Sequence, residues 1–227
     1  MGRAARVAYQ ALRFLLRAVS KLWFRVSVEG SEQVPATGGY ILAPGAHRSI
    51  LDTPIAALAS PRVLRFMGAE NYFAIPGLGF FLRSMGGFPV ERAMTDRGAL
   101  RAAEGVLARG EPLVIFPEGT RQHGQAIIEM KEGASFLACR AGVPIVPVGI
   151  GGAERAMPKG GRFPRPRRIA VVVGAPIYPP PRSEGPGGGR VKRSQVRRLT
   201  EELQANLQVL FDDAQQRANN PDSKPAT

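Results

Sequence analysis

The 227-residue sequence is poor in the residues that build covalent or metal-based frameworks, with one cysteine, two histidines and one tryptophan. The single Cys139 excludes a disulfide scaffold, and so few Cys and His residues make a structural zinc site improbable. No uncharged apolar run reaches the roughly 18 residues of an ordinary membrane-spanning helix. The apolar fraction of 44% and the charged fraction of 22% are those of a globular protein, which excludes a disordered or collagen-like chain.

Acidic residues are the scarcer charge, because 31 Lys and Arg stand against 18 Asp and Glu and give a net charge of +13. Residues 1–28 hold six basic residues and no acid (+6), and residues 159–193 hold nine basic residues and one acid (+8). The remaining residues hold 16 basic and 17 acidic side chains (−1), so the body of the chain is neutral. Clustered basic residues indicate phosphate binding. The neutral body and the absence of a recognised motif argue against nucleic acid as the partner.

Residues 1–28 have the periodicity of an amphipathic helix. A polar stripe recurs at steps of three and four residues, namely Arg6, Gln10, Arg13, Arg17 and Lys21. The remaining positions form a broad apolar face with Trp23 near its end. This pattern is typical of a helix lying in a membrane interface, and packing of the helix on its own domain is the alternative. A signal peptide is disfavoured because Arg13 and Arg17 interrupt its apolar segment.

Further along the chain, short apolar stretches alternate with helical patterns. The extended stretches are 24–28, 40–43, 63–67, 113–116, 144–150 and 169–173, and the helical ones are 54–58, 97–109 and 133–141. This alternation predicts an α/β sheet. Ser194 offers an N-cap for a last helix that ends at about Arg217, after a Pro/Gly-rich linker.

His47 is the first candidate catalytic residue, because it lies between a predicted strand and a predicted helix, on the kind of loop that carries catalytic groups. Asp52 follows five residues later. The two side chains can meet only if His47 is on the loop and Asp52 is near the start of the helix. A carboxylate at one imidazole nitrogen would fix the tautomer and leave the other nitrogen free to take a proton. A surface pair without function is the alternative, and His123 is expected in an exposed loop.

Further candidate residues lie in the segment Phe116-Pro-Glu-Gly-Thr-Arg121, which leaves the end of an apolar strand. Ligands of open α/β sheets bind beyond the carboxyl ends of the strands, so Glu118 and Arg121 would project into such a crevice. An Arg–Glu pair that only shapes the loop is the alternative. Arg92, after a short extended stretch, and Lys131 are two other candidate cations.

Together these segments resemble the PlsC-type glycerolipid acyltransferases, the lysophosphatidate (1-acylglycerol-3-phosphate) acyltransferases. Four blocks occur in the order of that family: His47-x4-Asp52, Gly87-Phe-Pro-Val-Glu-Arg92, Phe116-Pro-Glu-Gly-Thr-Arg121 and Val143-Pro-Ile-Val-Pro-Val-Gly149. The resemblance runs from about Val34 to Ile150. One departure is Ala46, where family members often carry Asn, and another is the segment 122–124, where a Ser is common.

The resemblance implies transfer of a fatty acyl group from acyl-CoA or acyl-carrier protein to the free hydroxyl of 1-acylglycerol-3-phosphate, giving phosphatidate for phospholipid biosynthesis. His47 would be the general base and Asp52 would orient it. No residue need be acylated, so Cys139 is expected to pack in the core. The implied substrate-binding residues are Arg92, Glu118, Gly119, Thr120, Arg121 and Lys131, the cations holding the acceptor phosphate. No metal and no cofactor besides the acyl donor is expected, because a thiolate is a good leaving group.

The implied fold is an α/β, glycerolipid acyltransferase-like mixed or parallel sheet flanked by helices. The expected organisation is an N-terminal amphipathic membrane-interface helix at 1–28, an acyltransferase domain at 29–178, a basic linker at 179–193, a helix at 194–217 and a tail at 218–227. The uncharged stretch 71–82 would line an acyl-chain channel, dip into the membrane or form an interior turn.

We expect a peripheral or monotopic enzyme at the cytoplasmic face of the cell membrane, in contact with an anionic lipid surface. Acylation of glycerol-3-phosphate or of another lysolipid is the close alternative. The alternative of a different class is a basic membrane- or nucleic-acid-binding protein without catalysis.

Overall fold

The computed structural model describes residues 3–90, 96–119, 124, 127, 130–158, 161–181 and 191–220. The strands over these residues are β1 (Ser27–Glu29), β2 (Ile41–Pro44), β3 (Arg65–Ala69), β4 (Gly87–Val90), β5 (Leu113–Val114), β6 (Ile145–Gly151) and β7 (Ala170–Val173). The helices over the same residues are α1 (Arg3–Trp23), α2 (Asp52–Ala56), α3 (Glu70–Phe73), α4 (Leu78–Ser84), α5 (Asp96–Ala108), α6 (Gly133–Ala141), α7 (Ala153–Ala156) and α8 (Arg193–Asn219).

The strands form one mixed sheet in the order β1-β7-β6-β2-β5-β3-β4. Neighbouring strands are parallel except β6 and β7, which are antiparallel. The strands β2, β5 and β6 therefore end at the same edge, which we call the carboxyl edge. Gly151 pairs with Ala170, so β7 begins at that edge. The predicted α/β sheet flanked by helices is confirmed.

Hydrophobic side chains alternate between the two faces of the sheet, as the pleat of a strand requires. On β2, Ile41 joins the core beneath α5, α6 and α8, whereas Leu42 joins the core on the opposite face with Ile55 of α2. Both faces are buried, and this is why the central strands read as continuous apolar runs rather than as alternating ones.

The helix α8 packs directly on β6 and β7. A β-carbon at Gly149 would lie 2.2 Å from the carbonyl oxygen of Leu210, so glycine at this position permits the close approach. The buried side chains of α8 are Val196, Leu199, Thr200, Leu203, Leu207, Phe211, Ala214, Arg217 and Ala218. The helix α8 thus covers β6 and β7 on the face of the sheet that also carries α5 and α6. Residues 182–190 of the expected linker and 221–227 of the expected tail lie outside the described residues.

The helix α1 turns part of its basic stripe toward the protein body. Arg13 is buried and donates hydrogen bonds to the backbone carbonyl oxygens of Ser60, Pro61 and Arg62. The outward side of α1 carries the exposed apolar side chains Phe14, Leu15, Val19, Leu22 and Trp23. None of the described helices combines the length and the apolar character needed to cross a membrane.

The uncharged stretch 71–82 does not form an interior turn. It folds into parts of α3 and α4, and α4 contacts α1. Among its large apolar side chains, Phe73 is buried and Leu82 is half-buried, while the others are exposed, namely Tyr72, Ile75, Leu78, Phe80 and Phe81. Exposed apolar side chains therefore occur on both α1 and α4, which are in contact with each other.

Candidate active site

The loops that follow β2 and β5 lie side by side at the carboxyl edge, because these strands are neighbours in the sheet. The first loop carries His47 and leads into α2, whose first residue is Asp52. The second loop carries Phe116 and Glu118. Residues about 70 positions apart are thereby brought into contact.

The structure brings His47 and Asp52 together in the way that their spacing requires. Nδ1 of His47 lies 3.1 Å from Oδ2 of Asp52. The same Oδ2 accepts hydrogen bonds from the backbone N–H groups of Arg48 and Ser49, both at 2.7 Å. Asp52 is buried, and the three contacts fix its carboxylate. Since Nδ1 faces the carboxylate, Nε2 is the ring nitrogen that is left to exchange a proton with a substrate.

The imidazole ring is also held by an aromatic neighbour. The ring centroids of His47 and Phe116 are 4.2 Å apart, with an angle of 33° between the ring planes. Ser49 ties the loop to α7, because its hydroxyl donates to the carbonyl oxygen of Met157 at 2.7 Å. These contacts hold the loop and the imidazole in place, which favours the preorganisation that a general base would need.

The backbone is unusual at Ala46, directly before the histidine. Its φ of 56° lies in the left-handed region, which Asn tolerates better than Ala does. This is the position at which members of the resembled family often carry Asn. The left-handed turn leads the chain into the loop that carries His47, so the backbone strain lies beside the candidate catalytic residue, as is common at functional sites.

Glu118 faces the protein interior in this structure. Its Oε1 accepts the backbone N–H of His47 at 3.2 Å, and its Oε2 accepts Nη1 of Arg48 at 2.8 Å. The exposed fractions of the Arg48 and Glu118 side chains are 4% and 1%, so this is a buried ion pair. A substrate contact by Glu118 stays a prediction, whereas the observed contacts support the loop that carries His47.

Arg48, on the loop that follows β2, also contacts the chain after β5 at a second point, because its Nε donates to the carbonyl oxygen of Gly124 at 3.1 Å. Arg48 was not among the residues predicted from the sequence. The basic side chain beside His47 was visible in the sequence, but its partner depends on the adjacency of β2 and β5.

Of the remaining predicted binding residues, Gly119 and Lys131 lie together. Gly119 has a φ of 73°, and a β-carbon there would lie 3.1 Å from Nζ of Lys131. The ammonium group of Lys131 is thus next to the turn that follows β5. Arg92, Thr120 and Arg121 lie outside the described residues.

Cys139 lies on α6 and is buried in the core beneath the sheet. Burial raises the pKa of its thiol, which disfavours the reactive thiolate. The packing role expected for this cysteine agrees with its position.

The fold and the site define an α/β protein with a hydrogen-bonded His–Asp pair at the carboxyl edge of a mixed sheet. Comparison with known proteins then gives the family. A family model described as acyltransferase matches residues 25–151, which is more than half of the chain. The chain therefore belongs to the PlsC-type acyltransferase family, and the resemblance drawn from the four blocks is confirmed.

Individual relatives agree with this assignment. A chloroplastic 1-acyl-sn-glycerol-3-phosphate acyltransferase of Brassica napus is 27% identical over 172 residues, covering 70% of this chain and 49% of the relative. The chain thus spans about half the length of that plant relative. The 1-acyl-sn-glycerol-3-phosphate acyltransferase of Bacillus subtilis is 25% identical over 164 residues, covering 72% of this chain and 79% of the relative.

A solved structure shares the fold. It is the crystal structure of the 1-acyl-sn-glycerophosphate (LPA) acyltransferase PlsC from Thermotoga maritima. The TM-score is 0.69 at 26% identity, and the match covers 90% of this chain and 80% of that chain.

Proposed function

We propose that this protein transfers a fatty acyl group from an acyl thioester to the free hydroxyl of 1-acylglycerol-3-phosphate, which gives phosphatidate. The observation that carries the proposal is the 3.1 Å contact between Nδ1 of His47 and the buried carboxylate of Asp52. The curated relatives named as 1-acyl-sn-glycerol-3-phosphate acyltransferases support the choice of acceptor. The donor is acyl-CoA or acyl-carrier protein.

In the proposed mechanism, Nε2 of His47 takes the proton of the acceptor hydroxyl as its oxygen attacks the thioester carbonyl. The tetrahedral intermediate collapses, the new ester forms and the carbon–sulfur bond breaks. The imidazolium returns its proton to the leaving thiolate. Asp52 holds Nδ1 and stabilises the imidazolium while the proton is on the ring. The step needs no metal, because the thiolate is a good leaving group.

The acceptor phosphate would be held by cations at the loop that follows β5. Within the part of the chain that the structure describes, Lys131 is the candidate cation for this role, since its ammonium group lies beside Gly119. Arg92 and Arg121 complete the proposed set on the strength of the family motifs. Arg48 is a weaker candidate for this role because Glu118 neutralises it.

The test is an acyl-transfer assay with purified protein, with palmitoyl- or oleoyl-CoA as donor and lysophosphatidate, glycerol-3-phosphate and neutral lysolipids as acceptors. Lysophosphatidate should be the preferred acceptor. We expect His47→Ala to lower kcat by about 10²–10⁴-fold while the protein stays folded. Preference for another acceptor would redirect the proposal to that lipid, and an active His47→Ala variant would refute the mechanism.

The proposed site of action is the cytoplasmic face of the membrane, where α1 would lie in the lipid interface. The exposed apolar side of α1 and the exposed side chains of α4 support this placement. Arg13 would anchor the helix to the protein body rather than to lipid, because it is bonded to three backbone carbonyl groups.

The double variant Phe14→Ser/Leu22→Ser tests this placement. It should weaken sedimentation with liposomes, because both side chains are exposed on α1. Val209→Ser is the control, since Val209 is an exposed aliphatic residue on α8. Equal binding by the double variant and the wild-type protein would contradict the interfacial position of α1.

A further inference from the structure

Residues 161–168, which we call the arginine loop, lie between α7 and β7. We propose that the arginine loop is a second lipid-docking element, in which arginines bind the phosphates of an anionic bilayer and Phe163 inserts among the acyl chains. The inference rests on the proposed function at a membrane. It adds a role for the positive charge of this loop, to which the proposed function assigns none.

The charge of the arginine loop is of one sign. Its sequence Gly-Arg-Phe-Pro-Arg-Pro-Arg-Arg holds four arginines and no acid. Arg162, Arg165 and Arg167 are exposed, and Arg168 is half-buried. No ion pair joins any of the four to another residue in the described part of the chain. This positive charge is complementary to an anionic surface.

The loop also exposes its aromatic residue. Phe163 is 81% exposed, between an arginine and Pro164. An isolated exposed apolar side chain is ordinary on a protein surface. An aromatic residue within a cluster of arginines, however, is the combination that interfacial segments use.

The position of the loop connects the candidate active site with the end of α1. The hydroxyl of Ser49, on the loop that carries His47, bonds to Met157 just before the arginine loop. Arg165 donates its backbone N–H to Ala156 of α7 at 2.7 Å. At the other end, Ile169 donates to the carbonyl oxygen of Phe24, directly after α1, at 3.2 Å. The arginine loop therefore lies at the carboxyl edge and leads to the C-terminal end of α1, the helix whose apolar side we place in the membrane.

A lipid surface fits the loop better than the phosphates of the acyl donor do. Three exposed arginines, Arg162, Arg165 and Arg167, are distributed along a segment that reaches up to about 20 Å between residues 162 and 168. A single ligand is bound by donors that converge on it, whereas a row of charges meets many phosphates on a bilayer. The exposed Phe163 has a role only in the second case.

The experiment measures sedimentation of the full chain with phosphatidylcholine vesicles that do or do not contain phosphatidic acid. Arg162→Gln/Arg165→Gln should weaken partition onto the anionic vesicles by roughly fivefold per arginine, and Phe163→Ala should weaken it by about tenfold. The charge control is Arg101→Gln/Arg109→Gln, two exposed arginines on α5 and directly after it, because α5 packs on the opposite face of the sheet from α7. Tyr178→Ala is the aromatic control, because Tyr178 is 70% exposed and adjoins Ile177, which pairs with Ile145 at the opposite edge.

A second measurement separates this inference from the proposed function. Turnover of a short-chain lysophosphatidate, kept below its micelle concentration, reports the chemistry without a bilayer. No turnover by the wild-type protein would refute the proposed function alone. The docking role would be overturned if the loop variants bound anionic vesicles as well as the wild-type protein does. It would also be overturned if the control variants lost as much vesicle binding as the loop variants. A raised KM for the acyl donor with unchanged vesicle binding would overturn it too, by assigning the arginines to the donor.

Discussion

The buried pair Arg48–Glu118 gives the sharpest quantitative prediction. Replacing Arg48 with Met keeps most of the side-chain volume but leaves the carboxylate of Glu118 buried without its cation. Removing one partner of a buried ion pair typically lowers the free energy of unfolding by about 3–5 kcal/mol, because the remaining charge is left uncompensated. For a protein of this size, each 1 kcal/mol shifts Tm by about 2–4 °C, so we expect Tm to fall by roughly 6–20 °C.

The structure supplies a matched control. Arg65 and Glu111 form an ion pair with the same 2.8 Å distance, but their side chains are 23% and 30% exposed, against 4% and 1% for Arg48 and Glu118. Exposed pairs contribute about 0–1 kcal/mol. Arg65→Met should therefore destabilise the protein by less than about 1 kcal/mol.

The assay is urea unfolding of Arg48→Met, Glu118→Gln, the double variant and Arg65→Met, with free energies from linear extrapolation. The double variant should be less destabilised than the sum of the two single variants, with a coupling energy above about 1 kcal/mol. Turnover should also fall in Glu118→Gln, because Glu118 holds the backbone N–H of His47. A free energy of unfolding that falls no further in Arg48→Met than in Arg65→Met, or a coupling energy near zero, would contradict a stabilising role of the buried pair.

Three further predictions concern single residues. Ala46→Gly should leave the free energy of unfolding within about 1 kcal/mol, since relief of the left-handed backbone offsets the lost methyl group. Ala46→Val should cost more than about 2 kcal/mol in the same urea experiment, because a β-branched side chain adds strain and crowding; equal values would contradict this. The Arg65 guanidinium lowers the pKa of Glu111 below its ordinary 4.5. The stability that Glu111 contributes should therefore be present above pH 4.5 and be lost as the pH falls through the lowered pKa. The free energies of unfolding of the wild-type protein and of Glu111→Gln, measured against pH, check this dependence. An advantage of the wild-type protein that grows on acidification would contradict it. Cys139→Ala should retain acyl transfer, and the native thiol should react slowly with a thiol reagent at neutral pH, because burial raises its pKa; loss of activity without unfolding would contradict the packing role.

Much of the fold could be predicted from local patterns. The apolar stretches at 40–43 and 144–150 correspond to β2 and β6, and the helical pattern at 133–141 corresponds to α6. These elements are legible because a strand buried on both faces and a helix with one apolar face have characteristic residue periods. The stretch 71–82 was ambiguous, because its Gly and Pro breaks concealed two short helices.

The contact between His47 and Asp52 could also be anticipated, because it depends only on five residues of local chain and on where a helix starts. The partners of Glu118 could not be anticipated from the sequence. They are set by the order of strands in the sheet, which places the loop after β5 beside the loop after β2. Strand order is a property of long-range packing, so no local pattern announces it.

The α/β class, the family motifs and the division of the net charge of +13 into two basic segments around a neutral body were all readable from the residues alone. The directions in which those charges point depend on long-range packing and became visible in the three-dimensional fold. An amphipathic period reveals two faces of α1 but not which one meets the protein, and the buried Arg13 gives the answer. The arginine loop likewise reaches the edge that holds His47 because β7 runs antiparallel to β6 and begins where β6 ends.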